Sequence, residues 1–228
     1  MKQGHITEHP HEPTNGDRLK RIAEEFKAGY ALLETIEHSI TYFGSAQVQD
    51  DSPHYEAART LAHRLASDGF TTVTGGGPGI MEAANRGAVE ANGRSIGFNI
   101  MLEAERRNMY VREGLAFHYL FVRKVMLTSA SHAYVFFPGG FGTLDEFFEI
   151  STLIHIHRLH KDIPVVLVGS DYWRPLLDWL KMTVVGEYQG FDEFDLNMWM
   201  LAETIEEAYQ CLSGRACPIR LHSIYSGS

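Results

Sequence analysis

The segment from Pro138 to Glu146, PGGFGTLDE, joins small residues to a carboxylate at a spacing that suits phosphate chemistry. It follows a predicted buried strand and opens a predicted helix. Glycines there let the backbone approach a ligand closely, and the free N–H groups of a helix start favour an anion. Glu146 then lies about one helical turn from a bound phosphate, where a carboxylate can act on a ribose. The spacing fits a T-x-x-E capping box of Thr143 and Glu146 equally well, so cap and catalyst both stay open.

Arg123 is the second residue whose surroundings indicate chemistry, because it lies in the otherwise apolar segment FVRKVM. That segment belongs to a predicted helix that leads into the strand before Pro138. A buried or half-buried guanidinium needs an anionic partner, which is either a structural carboxylate or a substrate phosphate. Four aromatic residues either wall a nucleobase or belong to the core: Phe98, Tyr110, Phe117 and Tyr119.

The elements that must position these residues alternate between helices and strands. Segments of helical period predict helices at 17–37, 51–68, 79–92, 120–131, from about 143 onward, and at 173–184 and 203–212. Short apolar or β-branched segments predict strands at 40–43, 70–74, 95–99, 133–137 and 163–168, with an irregular stretch at 100–118. Strands that are apolar along their whole length indicate a parallel sheet covered on both faces. The predicted fold class is therefore α/β, a Rossmann-like three-layer αβα arrangement with a parallel sheet.

Three predicted strands end in loops of glycine and other small residues, at 44–45, 75–79 and 138–143. Ligands of open parallel sheets bind at the carboxyl ends of the strands, so we expect these loops to form one site. A dinucleotide site is not supported, because Ile80 replaces the third glycine of G-x-G-x-x-G and 95–99 supplies no acidic residue. A P-loop is excluded, because no glycine is followed by Lys and then Ser or Thr at the required spacing.

Length and composition predict one main folded unit. The chain has 228 residues, of which 44% are hydrophobic and 21% charged, near the globular average. We expect a flexible segment at 1–16, a single Rossmann-like nucleotide-binding catalytic domain at 17–215, and a tail at 216–228. The formal net charge of −9 disfavours a nucleic-acid partner, which is held mainly through excess Lys and Arg.

The apolar stretches are far shorter than the ~20 residues that a membrane span needs, and residues 1–13 lack the apolar core of a signal peptide. These features predict a cytoplasmic protein without a membrane partner. Cys211 and Cys217 cannot form a disulfide framework, and they indicate a reducing compartment or no cysteine chemistry. The 12 histidines are scattered and do not pair with cysteine at ligand spacing, so no metal site is predicted.

Four segments together resemble the LOG (Lonely Guy) family, cytokinin riboside 5′-monophosphate phosphoribohydrolases of which many were once labelled possible lysine decarboxylases. They are FGSA at 43–46, GGGPGIMEAANRGA at 75–88, FVRK at 121–124, and the signature PGGFGTLDE at 138–146. The resemblance runs from about residue 40 to about residue 180. It is less close at 101–105 and at 121–122.

The resemblance implies a dimeric Rossmann-like unit, in some members built into hexamers, with active sites at the dimer interface and no metal or redox cofactor. It implies hydrolysis of a nucleoside 5′-monophosphate to the free base and ribose 5-phosphate. Arg123 and Glu146 match the catalytic pair of the family. The positions that match its substrate-binding residues are Ser45, Gly76, Gly77, Met81, Lys124, Pro138, Gly139, Gly140, Gly142 and Thr143.

Two functional hypotheses follow. The first is a nucleotide N-glycosidase that acts on AMP or on cytokinin riboside 5′-monophosphates. The second is a non-catalytic carrier or sensor of a nucleotide or a phosphorylated cofactor, and the presence of both Arg123 and Glu146 argues against it. Lysine decarboxylation is not supported, because that chemistry ordinarily needs a Schiff-base lysine for pyridoxal phosphate and no Lys lies in a suitable context.

Overall fold

The computed structural model describes residues 14–101 and 107–214 and shows a seven-stranded parallel sheet. The sheet order is β4-β3-β2-β1-β5-β6-β7, and every neighbouring pair is parallel. The predicted α/β class with a parallel sheet is confirmed. The strands are β1 (Ser39–Phe43), β2 (Thr71–Thr74), β3 (Ser95–Ile100), β4 (Glu113–Phe117), β5 (Ala133–Phe136), β6 (Val165–Val168) and β7 (Trp199–Ala202).

Helices cover both faces of the sheet and form the outer two layers. They are α1 (Asn15–Leu33), α2 (Pro53–Ser67), α3 (Ile80–Glu90), α4 (Leu120–Ser129), α5 (Phe141–His155), α6 (Ser170–Trp179) and α7 (Ile205–Leu212), with a π-helix at Leu180–Glu187 and a 3₁₀ helix at Glu193–Met198. One buried apolar cluster joins the sheet to α4, α5 and α6, and α1 packs against it. A second joins the opposite face to α2, α3 and α7. Because both faces are covered, the central strands β1, β2, β5 and β6 are buried along their whole length.

The two edge strands β4 and β7 were not predicted from the sequence. In β4 only Phe117 is buried, so the strand lacks the continuous apolar run of its neighbours. Gly114 has a φ of +153°, and a Cβ there would collide with the carbonyl of Gly97 on β3. Close backbone approach at the edge therefore forms this strand, and a hydrophobic pattern does not reveal it.

Several predicted boundaries shift. α1 begins at Asn15 and ends at Leu33, and the helix predicted at 173–184 is α6 followed by the π-helix. Cys211 on α7 is disulfide-bonded, a pairing that the prediction did not include. The segment 1–13, the tail 216–228 and most of the divergent stretch 101–105 lie outside the described residues.

Candidate active site

A cleft of about 530 Å³ opens at the carboxyl edge of the sheet. Strands β2, β3 and β4 extend the sheet on one side of β1 and β5 lies on the other, so the cleft forms where the strand order reverses. Open α/β sheets bind ligands at this switch point, in cavities of about 300–1,000 Å³. It is lined by Phe43, Gly44, Ser45, Ala46, Gln47, Gly75, Met81, Ile100, His118, Leu120, Arg123, Leu127, Gly140, Gly142, Thr143 and Glu146.

The loop after β5 presents an uncapped helix start to the cleft. Gly140 is the N-cap residue of α5, and no side chain caps the helix. Leu144 donates the first intrahelical hydrogen bond, to the carbonyl of Gly140, at 3.0 Å. The capping-box interpretation of Thr143 and Glu146 is therefore wrong, because both residues lie inside α5. The N–H groups of the first turn and the positive end of the helix dipole suit an anion such as a phosphate.

Pro138 and Gly139 hold this loop in place rather than line the cleft. The Pro138 carbonyl accepts a hydrogen bond of 3.0 Å from the N–H of Ser45, which joins the loops after β5 and β1. The Tyr172 hydroxyl donates to the Gly139 carbonyl at 2.6 Å. A Cβ on Gly139 would collide with the side chain of Thr143, so only glycine fits at this position.

The loop after β2 is held by a buried polar network. The N–H of Gly76 donates to Thr74 Oγ1, and Asn108 bonds to the carbonyls of both Gly76 and Gly77, each at 2.9 Å. Gly76 has a φ of +74°, and a Cβ there would meet Asn99. Of the residues predicted in this segment, Met81 lines the cleft. Gly76 and Gly77 do not line it, and their hydrogen bonds hold the loop next to it.

The cleft floor holds Arg123 from α4 and Glu146 from α5. Arg123 Nη2 lies 3.9 Å from Glu146 Oε1, and the two side chains are 16% and 4% exposed. Within the described part of the chain, Arg123 Nε and Glu146 Oε2 are buried without a hydrogen-bond partner. Most buried polar atoms in native proteins are hydrogen-bonded, and exceptions often have a functional reason. The structure therefore brings the predicted pair together with hydrogen-bonding capacity to spare.

The environment of Glu146 favours its neutral form. Burial raises the pKa of this carboxyl to about 8, and the nearby Glu149 carboxylate acts in the same direction. Arg123 and Lys124 lower the pKa, but by less than burial raises it. A carboxyl that titrates near neutral pH in a cleft is typical of a catalytic acid or base.

Lys124 does not line the cleft. Its Nζ lies 2.7 Å from Asp145 Oδ2 and 3.4 Å from Glu149 Oε2, both on α5. The side chain therefore joins α4 to α5 and contributes positive charge near Glu146.

Of the apolar wall of the cleft, sequence reasoning predicted only Met81. Of the four aromatic candidates, Phe98, Phe117 and Tyr119 lie in the core, and none of the four lines the cleft. The wall includes Leu120 and Leu127, which flank Arg123 on one face of α4. Their i, i+3, i+7 spacing was the available signal. The other wall residues are Phe43, Met81, Ile100 and His118.

Within residues 14–101 and 107–214, no group of three or more His, Cys, Asp or Glu side chains is arranged to hold a metal ion. In those same ranges, no helix is long and apolar enough to cross a membrane.

The chain is similar to known proteins in sequence and in fold. A cytokinin riboside 5′-monophosphate phosphoribohydrolase from Rhodococcoides fascians is 28% identical over 159 residues, which cover 67% of this chain and 77% of that protein. A pyrimidine/purine nucleotide 5′-monophosphate nucleosidase from Escherichia coli is 29% identical over 148 residues, 58% of this chain and 32% of that protein. The molybdenum cofactor binding protein from Rippkaea orientalis shares the fold, with a TM-score of 0.59 and 21% identity over 79% of this chain and 98% of that one.

A family model matches the C-terminal part of the chain, including part of the cleft. The model described as "Possible lysine decarboxylase" matches residues 81–212, which is more than half of the chain and includes Met81, Arg123 and Glu146. The two sequence relatives described above are named as a phosphoribohydrolase and a nucleosidase. The chain therefore belongs to this family, the LOG family.

Proposed function

We propose that this protein hydrolyses the N-glycosidic bond of nucleoside 5′-monophosphates, either AMP or a cytokinin riboside 5′-monophosphate, to the free base and ribose 5-phosphate. The observation that carries the proposal is the buried pair of Arg123 and Glu146, 3.9 Å apart, next to the uncapped start of α5. The names of the relatives support hydrolysis of this bond type.

In the proposed reaction the start of α5 binds the phosphate and fixes the ribose over Glu146. The side chains of Ser45 and Thr143 lie on the same cleft and can add hydrogen bonds. Binding energy from the phosphate, which does not react, then positions the bond that breaks. The apolar wall takes the base.

Bond cleavage leaves positive charge on the ribose. The bond between C1′ and the base nitrogen breaks, its electron pair leaves with the base, and water adds its oxygen to C1′. One proton of that water passes to the base, so the atoms balance. Ionised Glu146 stabilises the oxocarbenium-like ribose and orients the water. Arg123 favours this ionised form by lowering the pKa of Glu146, and it contacts the substrate. The proposed reaction uses no cofactor.

Product analysis tests this proposal. Wild-type protein is incubated separately with AMP, with isopentenyladenosine monophosphate and with adenosine, and the products are separated by chromatography. We expect free base from a monophosphate and far less from adenosine, because adenosine lacks the group that α5 binds. Intact nucleotide in every sample, together with measurable AMP binding, would replace the hydrolase with the carrier or sensor hypothesis.

The proposal includes a homodimer, with a hexamer as a larger assembly of the same unit, in the cytoplasm. Exposed apolar side chains on α4 and α5 support it: Phe141 is 94% exposed, Leu120 51% and Phe121 46%. Exposed apolar surface on the helices that line a cleft is a candidate for burial by another protein.

A further inference from the structure

The N-terminal helix α1 packs directly on the helix that carries Arg123. Ile22 and Phe26 pack against the core cluster beneath the sheet. Gly29 is buried, and a Cβ there would collide with the side chain of Met126 on α4. The two helices therefore pack closely at position 29, where a larger residue would displace the Met126 side chain.

The start of α4 has no local cap. Its N-cap residue is Tyr119, whose side chain makes no capping hydrogen bond, and its first turn contains no acidic residue. A helix start leaves N–H groups that need acceptors, and it favours nearby negative charge. The residues that lead into α4 are therefore a place where a carboxylate from elsewhere in the chain can stabilise the helix start.

Glu25 of α1 brings negative charge to this helix start and binds the two peptide groups that lead into it. Its Oε1 accepts a hydrogen bond of 2.8 Å from the N–H of His118, and its Oε2 accepts one of 3.3 Å from the N–H of Tyr119. One carboxylate thus binds two successive peptide groups, and it does so across 93 and 94 residues of chain.

The two anchored peptide groups lead directly into the site. The carbonyl of Tyr119 accepts a hydrogen bond of 3.2 Å from the N–H of Arg123. His118 and Arg123 both line the cleft. Movement at the start of α4 would therefore displace both side chains, and with them the 3.9 Å separation of Arg123 and Glu146.

We propose that Glu25 is a positioning residue: by holding the start of α4 from α1, it sets Arg123 and His118 in the cleft. This inference rests on the proposed hydrolase function for its kinetic consequence. It also assigns a role to α1, which precedes the segment that resembles the family.

The test compares Glu25→Ala and Glu25→Gln with the control Glu24→Ala. Glu24 is on the same helix, its side chain is 65% exposed, and its ion-pair partner is Lys20 at 3.9 Å. Kinetics with AMP are measured as kcat and KM across pH, together with thermal unfolding to give the folded fraction. Hydrogen exchange at residues 118–123 is measured in each protein.

We expect Glu25→Ala to lower kcat about tenfold, less than the ~100-fold that a misplacement of 1 Å can cause. KM should change less than kcat, because α5 still binds the phosphate. The pH at which activity reaches half its plateau should rise, because Arg123 no longer lowers the pKa of Glu146 as effectively. Glu25→Gln, which keeps one acceptor oxygen, should recover part of kcat, and Glu24→Ala should match the wild type.

Two results would overturn the inference: wild-type kinetics for Glu25→Ala, or a loss of kcat that equals its loss of folded protein. Hydrogen exchange separates this inference from the proposed function. If the wild type releases no base, the hydrolase proposal fails. Faster exchange at 118–123 in Glu25→Ala alone then still supports the positioning role, and unchanged exchange rejects it.

Discussion

At the scale of single residues, Glu146 combines deep burial with a carboxyl that lacks a full set of partners. Its side chain is 4% exposed, and the nearest guanidinium nitrogen lies 3.9 Å away. A protein selected only for stability would place an apolar or fully paired residue there. The site therefore keeps a reactive carboxyl at the expense of stability, which is common in catalytic sites.

The first residue-scale prediction concerns pH. If ionised Glu146 is the active form, kcat/KM should rise with pH and level off above about 8, the pKa that burial gives this carboxyl. Glu149→Gln should move this rise to lower pH, because the Glu149 carboxylate raises the pKa of Glu146. A pH profile of both proteins checks this, and a flat profile between pH 6 and 9 would contradict it.

The second residue-scale prediction concerns stability. The carboxyl of Glu146 ionises near 4.5 in the unfolded chain but near 8 in the folded protein, so stability falls as pH rises through that window. Glu146→Gln should therefore raise the free energy of unfolding at pH 9. Each unit of difference between the folded and unfolded pKa corresponds to about 1.4 kcal/mol, so the gain is at most several kcal/mol.

Denaturant titrations at pH 4 and pH 9 measure this effect. Asp145→Asn is the matched control, since Asp145 is the preceding residue on α5 and its side chain is 55% exposed. A gain for Glu146→Gln that is equal at both pH values would refute the linkage to ionisation.

At the scale of elements, the cleft depends on loops that are joined to each other as well as to their strands. Ser45 after β1 bonds to Pro138 after β5, and its carbonyl accepts from Ile80 at the start of α3, at 3.0 and 3.1 Å. These bonds hold three strand ends in one arrangement. The glycines between them are needed where backbones meet, and other glycines of the same loops face open space.

This difference gives a prediction for neighbouring glycines. Gly139→Ala should destabilise the protein by about 1–3 kcal/mol, because the new methyl group collides with Thr143. Gly140→Ala should change stability by less than about 0.5 kcal/mol, because no atom lies within 4 Å of the added Cβ. Thermal unfolding of the two variants decides it, and equal effects would contradict the packing argument.

The sequence predicted the central strands and the three loops because buried parallel strands have an apolar pattern. It did not predict β4, whose pairing depends on close backbone approach at Gly114, or the long-range hydrogen bonds that Glu25 accepts before α4. The sequence motifs predicted that Arg123 and Glu146 form a pair. They did not predict the burial that raises the pKa of Glu146, because that burial depends on tertiary packing. Local patterns do not contain such contacts between distant segments.

At the scale of the whole molecule, α4 and α5, the helices that hold the catalytic candidates, carry exposed apolar side chains. An interface there would exclude water from the cleft and strengthen the electrostatic interactions inside it. Assembly and activity should therefore depend on each other.

The prediction is a dimer in solution, with about twice the 25.7 kDa mass of one chain. Phe121→Glu places a charge on the exposed apolar surface and should shift the protein toward monomer with lower activity. Lys20→Gln, on the exposed face of α1, is the charge-matched control, because it changes the net charge by the same single unit. Light scattering measures the mass, and a wild-type monomer at every concentration would rule out the proposed assembly.

The most direct test of the central claim is the rate of base release from AMP by wild type, Glu146→Gln and Asp145→Asn, with AMP affinity measured by calorimetry. Loss of the reacting carboxylate should lower the rate of Glu146→Gln by at least about 100-fold, while AMP affinity and folding persist. Asp145→Asn should retain wild-type turnover. Base release by Glu146→Gln at the wild-type rate per folded molecule would contradict the account.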